Sequence, residues 1–342
     1  MSVRLYAEHD RARWDDYAQR SSARSAYHMS GWKRVIEASF GHRAPYLLSE
    51  HGSTVDGILP LVHLKSVLFG NLMVSLPYVN YGGVRADGSR QYEELLHAAI
   101  ALAGAKRAAF IEFRDSEPSD HGLSLKTAKV TMELPLPQTV GELWQSFPSK
   151  LRSQIRRPQK EGLSARIGRA DELDAFYRVF SENMRDLGTP VYSKRFFKNI
   201  LLEFPDSTWI CSVYRNQSPV GAALLVGFRD RLEIPWASTL RRFNRDSPNM
   251  LLYWTALEFA CTSHYRVFDF GRSSPEGGTY RFKAQWGATP VQLYWYYWMR
   301  RDGPLPVFNP TNRRYQMAIR IWKHLPLGVT RLIGPMIVRN LP

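Results

Sequence analysis

Seven residues, Arg241-Arg242-Phe243-Asn244-Arg245-Asp246-Ser247, stand between an expected strand and a helix opened by Pro248. Free N–H groups at a helix start attract anions, and neighbouring arginines add charge. Arg241, Arg242, Arg245, Ser247 and Asn249 are therefore the candidate phosphate-binding residues. Further along, Asp269 and Arg272 flank the end of another expected strand, and Gly277-Gly278 precede Phe282-Lys283. An ammonium such as Lys283 stabilises negative charge developing on a carbonyl oxygen, and paired glycines let backbone approach closely. Asp269 can accept a proton, with Glu276 a weaker base, and Arg272 can bind an acidic group. Lys150, Arg152, Arg156 and Arg157 form a basic cluster. Arg152 and Arg156 share a face if the segment is helical, and Pro158 is expected to end or kink that helix. Plainer alternatives stay open for each group: a solvated turn capped by Ser247, Lys283 paired with Asp269 or Glu276, an internal Asp269–Arg272 pair, a solvated basic face. No Ser-His-Asp order, zinc spacing or P-loop accompanies them.

The elements that must position these residues follow from apolar spacing. In the first half a helix from Gly31 to Phe40 precedes strands at Tyr46–Ser49, Val55–Leu64 and Leu72–Val79. A helix at Tyr92–Ala103, a strand at Ala108–Phe113 and a closing strand near Lys129–Leu134 complete it. The second half repeats the order. Helices at Asp171–Leu187 and Ser193–Glu203 precede strands at Trp209–Tyr214, Val220–Phe228 and Leu232–Ala237. A helix follows from Pro248 to Ser263, with Ser247 as N-cap and Pro248 at the first helical position. Strands at Arg266–Phe270 and Gln292–Met299 end this half. The repetition of order predicts a duplicated α/β (α+β) architecture, with one domain over 1–136 and a second over 137–302.

The last segment, 303–342, differs. It opens at Asn309-Pro310 and interleaves Ile319, Ile321, Trp322, Leu332 and Met336 with Arg313, Arg314, Arg320, Lys323 and Arg331. Pro326 and Pro335 are expected to divide it into short helices. Such a basic amphipathic tail suits a membrane interface or docking on the protein body, and the number of apolar residues favours docking.

Composition sets bounds on this picture. The 342 residues are 44% hydrophobic, ample for a core, and carry 46 basic against 31 acidic side chains, a net +15. That surface attracts phosphate-bearing small molecules, RNA or anionic lipid. Cys211 and Cys261 lie far apart in apolar stretches, a pattern of buried free thiols rather than a disulfide framework. Met1 to Arg20 has no apolar h-region, and no apolar run approaches the ~18 residues of a membrane span. The expected setting is cytoplasmic, with peripheral contact at the inner membrane through 310–342.

Four stretches resemble the FemAB family: SLPYVNYGGV from Ser75, SKLRSQIRRPQKEG from Ser149, DFGRSSPEGGTYRFKAQWG from Asp269 and the closing LPLGVTRLIGP. In combination they are most similar to FemAB-related proteins of bacterial exosortase and exopolysaccharide loci. The resemblance implies tandem GNAT-like (acyl-CoA N-acyltransferase) domains with a C-terminal helical tail. It implies attack by an acceptor amine on an ester or thioester carbonyl, with acyl-CoA or aminoacyl-tRNA as co-substrate and no permanent cofactor or metal. It places Phe282-Lys283 at the family's Phe-Lys position, the donor's pyrophosphate at the Arg241–Asn249 junction, and Lys150, Arg152 and Arg156 on a wall of the substrate cleft. The acceptor is placed near Tyr81, Trp32, Lys33 and Arg272. The long coiled-coil arm of some tRNA-using members is absent here. The implied function is transfer of an acyl or aminoacyl group to an amine of a cell-envelope or exopolysaccharide precursor. A catalytically inactive pair of such domains, holding a nucleotide-sugar or lipid-linked precursor, is the alternative. Non-specific RNA binding would rest on net charge alone.

Overall fold

The computed structural model describes residues 2–66, 69–306 and 313–341. The first part of the chain forms β1 (Ser2–Leu5), α1 (Arg11–Arg20), α2 (Gly31–Phe40), β2 (Leu47–His51), β3 (Thr54–Leu59), β4 (Val62–Ser66), β5 (Gly70–Val74), β6 (Arg85–Ala86), α3 (Ser89–Ala105), β7 (Phe110–Asp115) and β8 (Ser124–Lys126). Then come β9 (Val130–Pro135), α4 (Val140–Ser146), α5 (Ser149–Lys160), β10 (Leu163–Gly168), α6 (Leu173–Leu187), α7 (Lys194–Glu203), β11 (Thr208–Arg215), β12 (Ser218–Phe228) and β13 (Arg231–Thr239). The chain continues through α8 (Pro248–Thr262), β14 (Val267–Ser273), α9 (Gly278–Ala284), β15 (Thr289–Gln292), β16 (Tyr294–Met299), α10 (Arg313–His324) and α11 (Leu327–Val338).

The chain divides into two compact units. One comprises Met1–Val130, Gln292–Val307 and Arg339–Pro342, the other Thr131–Val291 and Phe308–Val338. The expected boundaries at 136 and 302 therefore differ from the observed ones, because the two closing strands are exchanged. Most of β9 lies in the second unit, between β14 and β15, and β16 lies in the first, between β7 and β8. The contacts show why each strand suits its sheet. Tyr296 of β16 joins the apolar core of the first unit, and the Tyr297 hydroxyl donates to Glu112 at 2.6 Å. Thr131 of β9 donates to Asp269 of β14 at 2.5 Å.

The first unit holds two sheets, ordered β1-β2-β3-β6 and β4-β5-β7-β16-β8. The apolar run from Val55 to Leu64, expected as one strand, is two strands in different sheets. Pro60 lies between them and cannot donate to a ladder. Helix α3 packs on β1, β2, β3, β6 and β7. Polar groups buried on β7 are paired: Arg114 donates to Glu112 at 2.7 Å, and Arg85 to Asp115 at 2.9 Å. The Tyr81-Gly82-Gly83 loop is packed here too. A Cβ at Gly83 would lie 2.0 Å from an Asp115 oxygen, so only glycine fits.

The second unit is one sheet, β10-β11-β12-β13-β14-β9-β15, with α6 packed on β11–β13 and α8 on β10–β13. Helix α8 buries apolar residues around most of its girth, from Met250 and Leu251 to Ala260 and Cys261, as a core helix must. Both cysteines are buried free thiols. The tail docks on α6 through Trp322, Thr330, Gly334 and Val338. Pro326 separates its helices as expected, but Pro335 lies inside α11. A proline removes one N–H from a helix, and in the last turn that loss leaves the preceding turns intact. The Asn309-Pro310 opening and the Arg313 and Arg314 side chains lie outside the described residues.

Candidate active site

The sheet of the second unit comes apart at one level, and local sequence accounts for the opening. Parallel pairing of β13 with β14 covers Arg231, Leu232 and Glu233 opposite Val267, Phe268 and Asp269, and then stops although both strands continue. On β13, the register against β12 shifts between the Leu224–Trp236 and Val226–Glu233 pairs, leaving Ile234 and Pro235 opposite Leu225 alone. Pro235 has no N–H for a neighbouring strand, and a bulge suits it. On β14, Gly271 takes a left-handed φ of +74°. The two strands thus lose their partnership together, leaving an edge of β13 beyond Glu233 that β14 does not occupy.

Lys283 holds that kink. It is buried on α9, and its Nζ donates to the carbonyls of Gly271 at 2.8 Å and Arg272 at 3.0 Å. Successive carbonyls of a regular strand point to opposite sides. The left-handed turn at Gly271 lets both reach one nitrogen. Asp269 holds the other side of the kink, accepting the Gly271 N–H at 2.8 Å and the Thr131 hydroxyl at 2.5 Å. Burial lowers the Lys283 pKa to about 8, against the opposing pull of Asp269 and Glu233. Both residues expected to do chemistry are therefore engaged in shaping β14. Arg272 is exposed, and its carbonyl is the second acceptor for Lys283.

Beside the divergence lies a pocket of about 430 Å3. Thr239 ends β13 there, Asn244 and Ser247 come from the following loop, and Asn249 and Met250 from the first turn of α8. Gln154 and Arg157 come from α5, and Phe282 and Gln285 from α9 and its end. Thus Ser247, Asn249 and Phe282 meet in one cavity, as the sequence suggests. Among the described residues, the side chains of Gln154, Arg157, Thr239, Asn244, Ser247, Asn249 and Gln285 hydrogen-bond to no other protein group. Seven polar side chains converge there with their bonding capacity unspent.

Ser247 departs from its expected role as a helix cap. It sits at the N-cap position, but with left-handed backbone (φ 54°, ψ 46°) and no capping hydrogen bond. A non-glycine residue there costs on the order of 1–3 kcal/mol, and such strain concentrates at functional sites. The arginines of the loop also differ from expectation, since none of Arg241, Arg242 and Arg245 lines the pocket. Arg242 pairs with Glu182 and covers the Phe243 ring, and Asp246 is taken by Arg215. The pocket's cation is Arg157. Helix α5 continues to Lys160 through Pro158, contrary to the expected break. Only the bond that would have reached the Gln154 carbonyl is lost. Lys150 is exposed, Arg152 half-buried, and Arg156 lies 5.0 Å over the Trp144 ring.

Phe282 is held by an aromatic cluster. Its ring meets Tyr253 edge-on at 4.9 Å, and Tyr253 stacks on Phe270 at 5.6 Å. In the first unit, Trp32 and Tyr81 are buried against Tyr27, and Lys33 is tied to Glu37 at 2.5 Å and to the Ala44 carbonyl at 3.0 Å. These three are occupied in packing. Sequence reasoning missed the amides: Gln154, Asn244 and Gln285 carry no charge to draw notice, and of the three only Asn244 stood close to an expected helix start.

Residues 146–284, which hold this machinery apart from Gln285 and Thr131, match the family described as "Acetyltransferase (GNAT) domain". No curated protein matches the sequence. Among solved structures, FemX superposes with a TM-score of 0.65 at 14% identity, covering 86% of this chain and 97% of its own. A tandem GNAT protein from the clavulanic acid biosynthesis pathway gives 0.55 at 10% identity, covering 89% and 99%. L-PGS from Bacillus licheniformis gives 0.55 at 11% identity, covering 94% and 96%. The splayed parallel strands, the loop to α8 and these likenesses agree: this chain has a FemAB-like tandem GNAT fold, with the match to the GNAT acetyltransferase domain confined to residues 146–284.

Proposed function

We propose that the protein is an N-acyl- or aminoacyltransferase whose phosphate-bearing donor, acyl-CoA or aminoacyl-tRNA, occupies the pocket of the second unit. The supporting observation is the convergence of unspent polar side chains and one arginine on the first turn of α8. The donor's phosphates lie against the Asn249 N–H at the start of that turn, since Pro248 has none and Met250 donates to the Ser247 carbonyl, with Arg157 supplying charge and the side chains of Ser247, Asn249 and Asn244 supplying hydrogen bonds. The activated carbonyl lies where β13 leaves β14. A neutral acceptor amine attacks its carbon, main-chain donors on the unoccupied β13 edge stabilise the oxyanion, and collapse expels thiolate or ribose alkoxide. The proton shed by the amine ends on that leaving group. Lys283 and Asp269 act by positioning β14 rather than by touching the reacting atoms.

The acceptor under this reading is an amine of a cell-envelope or exopolysaccharide precursor, met at a membrane surface. Five of the nine exposed large apolar side chains among the described residues lie between Met317 and Met336. On α11, Val329, Leu332 and Met336 share the face opposite the docked Thr330, Gly334 and Val338. On α10, Met317 and Ile321 share a face with Arg320 and His324. An apolar row with adjacent cations suits an anionic interface. No helix among the described residues is long and apolar enough to cross a membrane.

One observation favours the inactive-module reading: among the described residues no carboxylate or imidazole lines the pocket. Turnover separates the two. With radiolabelled acyl-CoA and aminoacyl-tRNA pools and a bacterial membrane extract, the enzyme reading requires label to enter the envelope fraction. Binding of either donor without its consumption would leave only the module.

A further inference from the structure

The first unit contains a second concavity whose chemistry the transfer reaction does not use. It measures about 330 Å3 and is lined by His42, Arg43, His63, Lys65, Lys106 and Arg339, with Gly41 at its edge. No acid lines it. Among the described residues, none of the four Lys and Arg side chains has a hydrogen-bond or ion-pair partner. Four cations gathered without a counter-charge repel one another, and a bound anion relieves that repulsion.

The four cations are exposed, but the backbone and the histidines beneath them are fixed in place. Gly41 ends α2 with a left-handed φ of +71°, turning the chain so that Arg43 bridges His63 at the start of β4. Asn71 donates to the carbonyls of Lys106 at 2.8 Å and Arg107 at 2.9 Å, which orients its own oxygen to accept from His63 Nε2 at 2.6 Å. That fixes the His63 tautomer, with Nε2 protonated and Nδ1 left for other partners. Arg339 returns from the far end of the sequence. Its carbonyl accepts from the Tyr78 hydroxyl and from His42 Nε2, each at 2.6 Å. Its guanidinium lies beside Gly41, 3.7 Å from where a Cβ would stand. His42 is buried, and that burial lowers its pKa against the opposing hydrogen bond to the Arg339 carbonyl, with the charges of Arg339 and His63 lowering it further.

We propose that this pocket binds a phosphoryl or pyrophosphoryl group carried by a larger molecule. Arginine and lysine side chains converging on one cavity suit dianionic oxygens, and the oriented His63 ring adds a directional partner. The group's bearer is a soluble nucleotide-type ester or an anionic lipid headgroup, which share this chemistry. The site is distinct from the donor pocket: no lining residue is common to the two.

Titration calorimetry of the full chain with inorganic pyrophosphate tests this, with Arg157→Ala used throughout to silence the donor pocket. That variant should retain a saturable site. Adding Arg43→Ala and Lys65→Ala should weaken it about 100-fold, since two charge-assisted hydrogen bonds to the anion are removed. The unfolding midpoint should stay unchanged, because neither side chain holds a partner. Displacement by a nucleoside diphosphate would identify a soluble bearer, and displacement by monomeric short-chain phosphatidylglycerol a headgroup. Unchanged affinity in the triple variant, or equal displacement by chloride, would overturn the assignment.

Discussion

The Lys283 ammonium nitrogen lies 2.8 Å from the Gly271 carbonyl, at the residue whose left-handed backbone ends the pairing of β14 with β13. A lysine that sequence alone marks for chemistry is thus a fastener for the strand divergence in which chemistry would occur. Replacing it with methionine keeps the apolar stem and removes both bonds to the carbonyls. The expected loss is about 3–6 kcal/mol, two hydrogen bonds from a charged donor, measured by urea unfolding. A variant as stable as wild type would refute the fastening role.

The same lysine makes stability depend on pH. Folded Lys283 gives up its proton near a pKa of about 8, whereas an unperturbed lysine holds it to 10.5. Between those values the unfolded chain binds more protons, so the free energy of unfolding due to Lys283 rises with pH. The wild type should gain about 3 kcal/mol on Lys283→Met between pH 7.5 and 10.5. A difference that is flat or falls with pH would show that the charged form is not disfavoured by burial.

Gly271→Ala tests the kink itself. An L-residue in this left-handed backbone costs about 1–2 kcal/mol, and relaxation of β14 toward β13 would close the divergence. Turnover should fall by more than tenfold with donor binding nearly intact, since the phosphate-binding groups lie on α5, the loop before α8 and its first turn rather than on β14. Equal loss of binding and turnover would mean that the glycine serves the fold generally.

Arg157→Ala should weaken donor binding about tenfold or more, the worth of one charge-assisted hydrogen bond, whereas Arg242→Ala should leave it unchanged. Arg242 is spent on Glu182, outside the pocket. Calorimetric titration with the donor reads both, and the opposite ranking would move the phosphate site to the arginine loop.

For the tail, Leu332→Glu with Met336→Glu should abolish co-sedimentation with phosphatidylglycerol vesicles. Stability should change by less than about 0.5 kcal/mol per site, because both side chains are exposed. Retained sedimentation would remove the membrane role. Self-association of the wild type that the substitutions abolish would assign the face to a second copy instead.

Much of this architecture is legible in the sequence, because α2, α3, α6 and α7 show helical spacing, Ser247-Pro248 mark the start of α8, and β11 to β14 sit between turn residues. Which sheet a strand joins is not legible. The residues 131–135 and 294–299 both carry patterns acceptable to either unit, and only pairings such as Thr131 with Asp269 and Tyr297 with Glu112 separate them. Helix α9 escaped notice because Gly277-Gly278 suggested a loop, so the opposite directions of Phe282 and Lys283 could not be foreseen. Charge also misled: the Arg241–Arg245 run drew attention from Asn244 within it, and Pro235 was a visible sign of the bulge that periodicity alone overlooks.

The most direct test of the central claim, that a phosphate-bearing donor docks at the first turn of α8, is titration with CoA and with deacylated tRNA. Wild type and Arg157→Ala should be compared side by side. At least one ligand should bind the wild type saturably and bind Arg157→Ala about tenfold or more weakly, because the guanidinium no longer reaches a phosphate oxygen. Binding of neither ligand, or equal binding to both proteins, would contradict it.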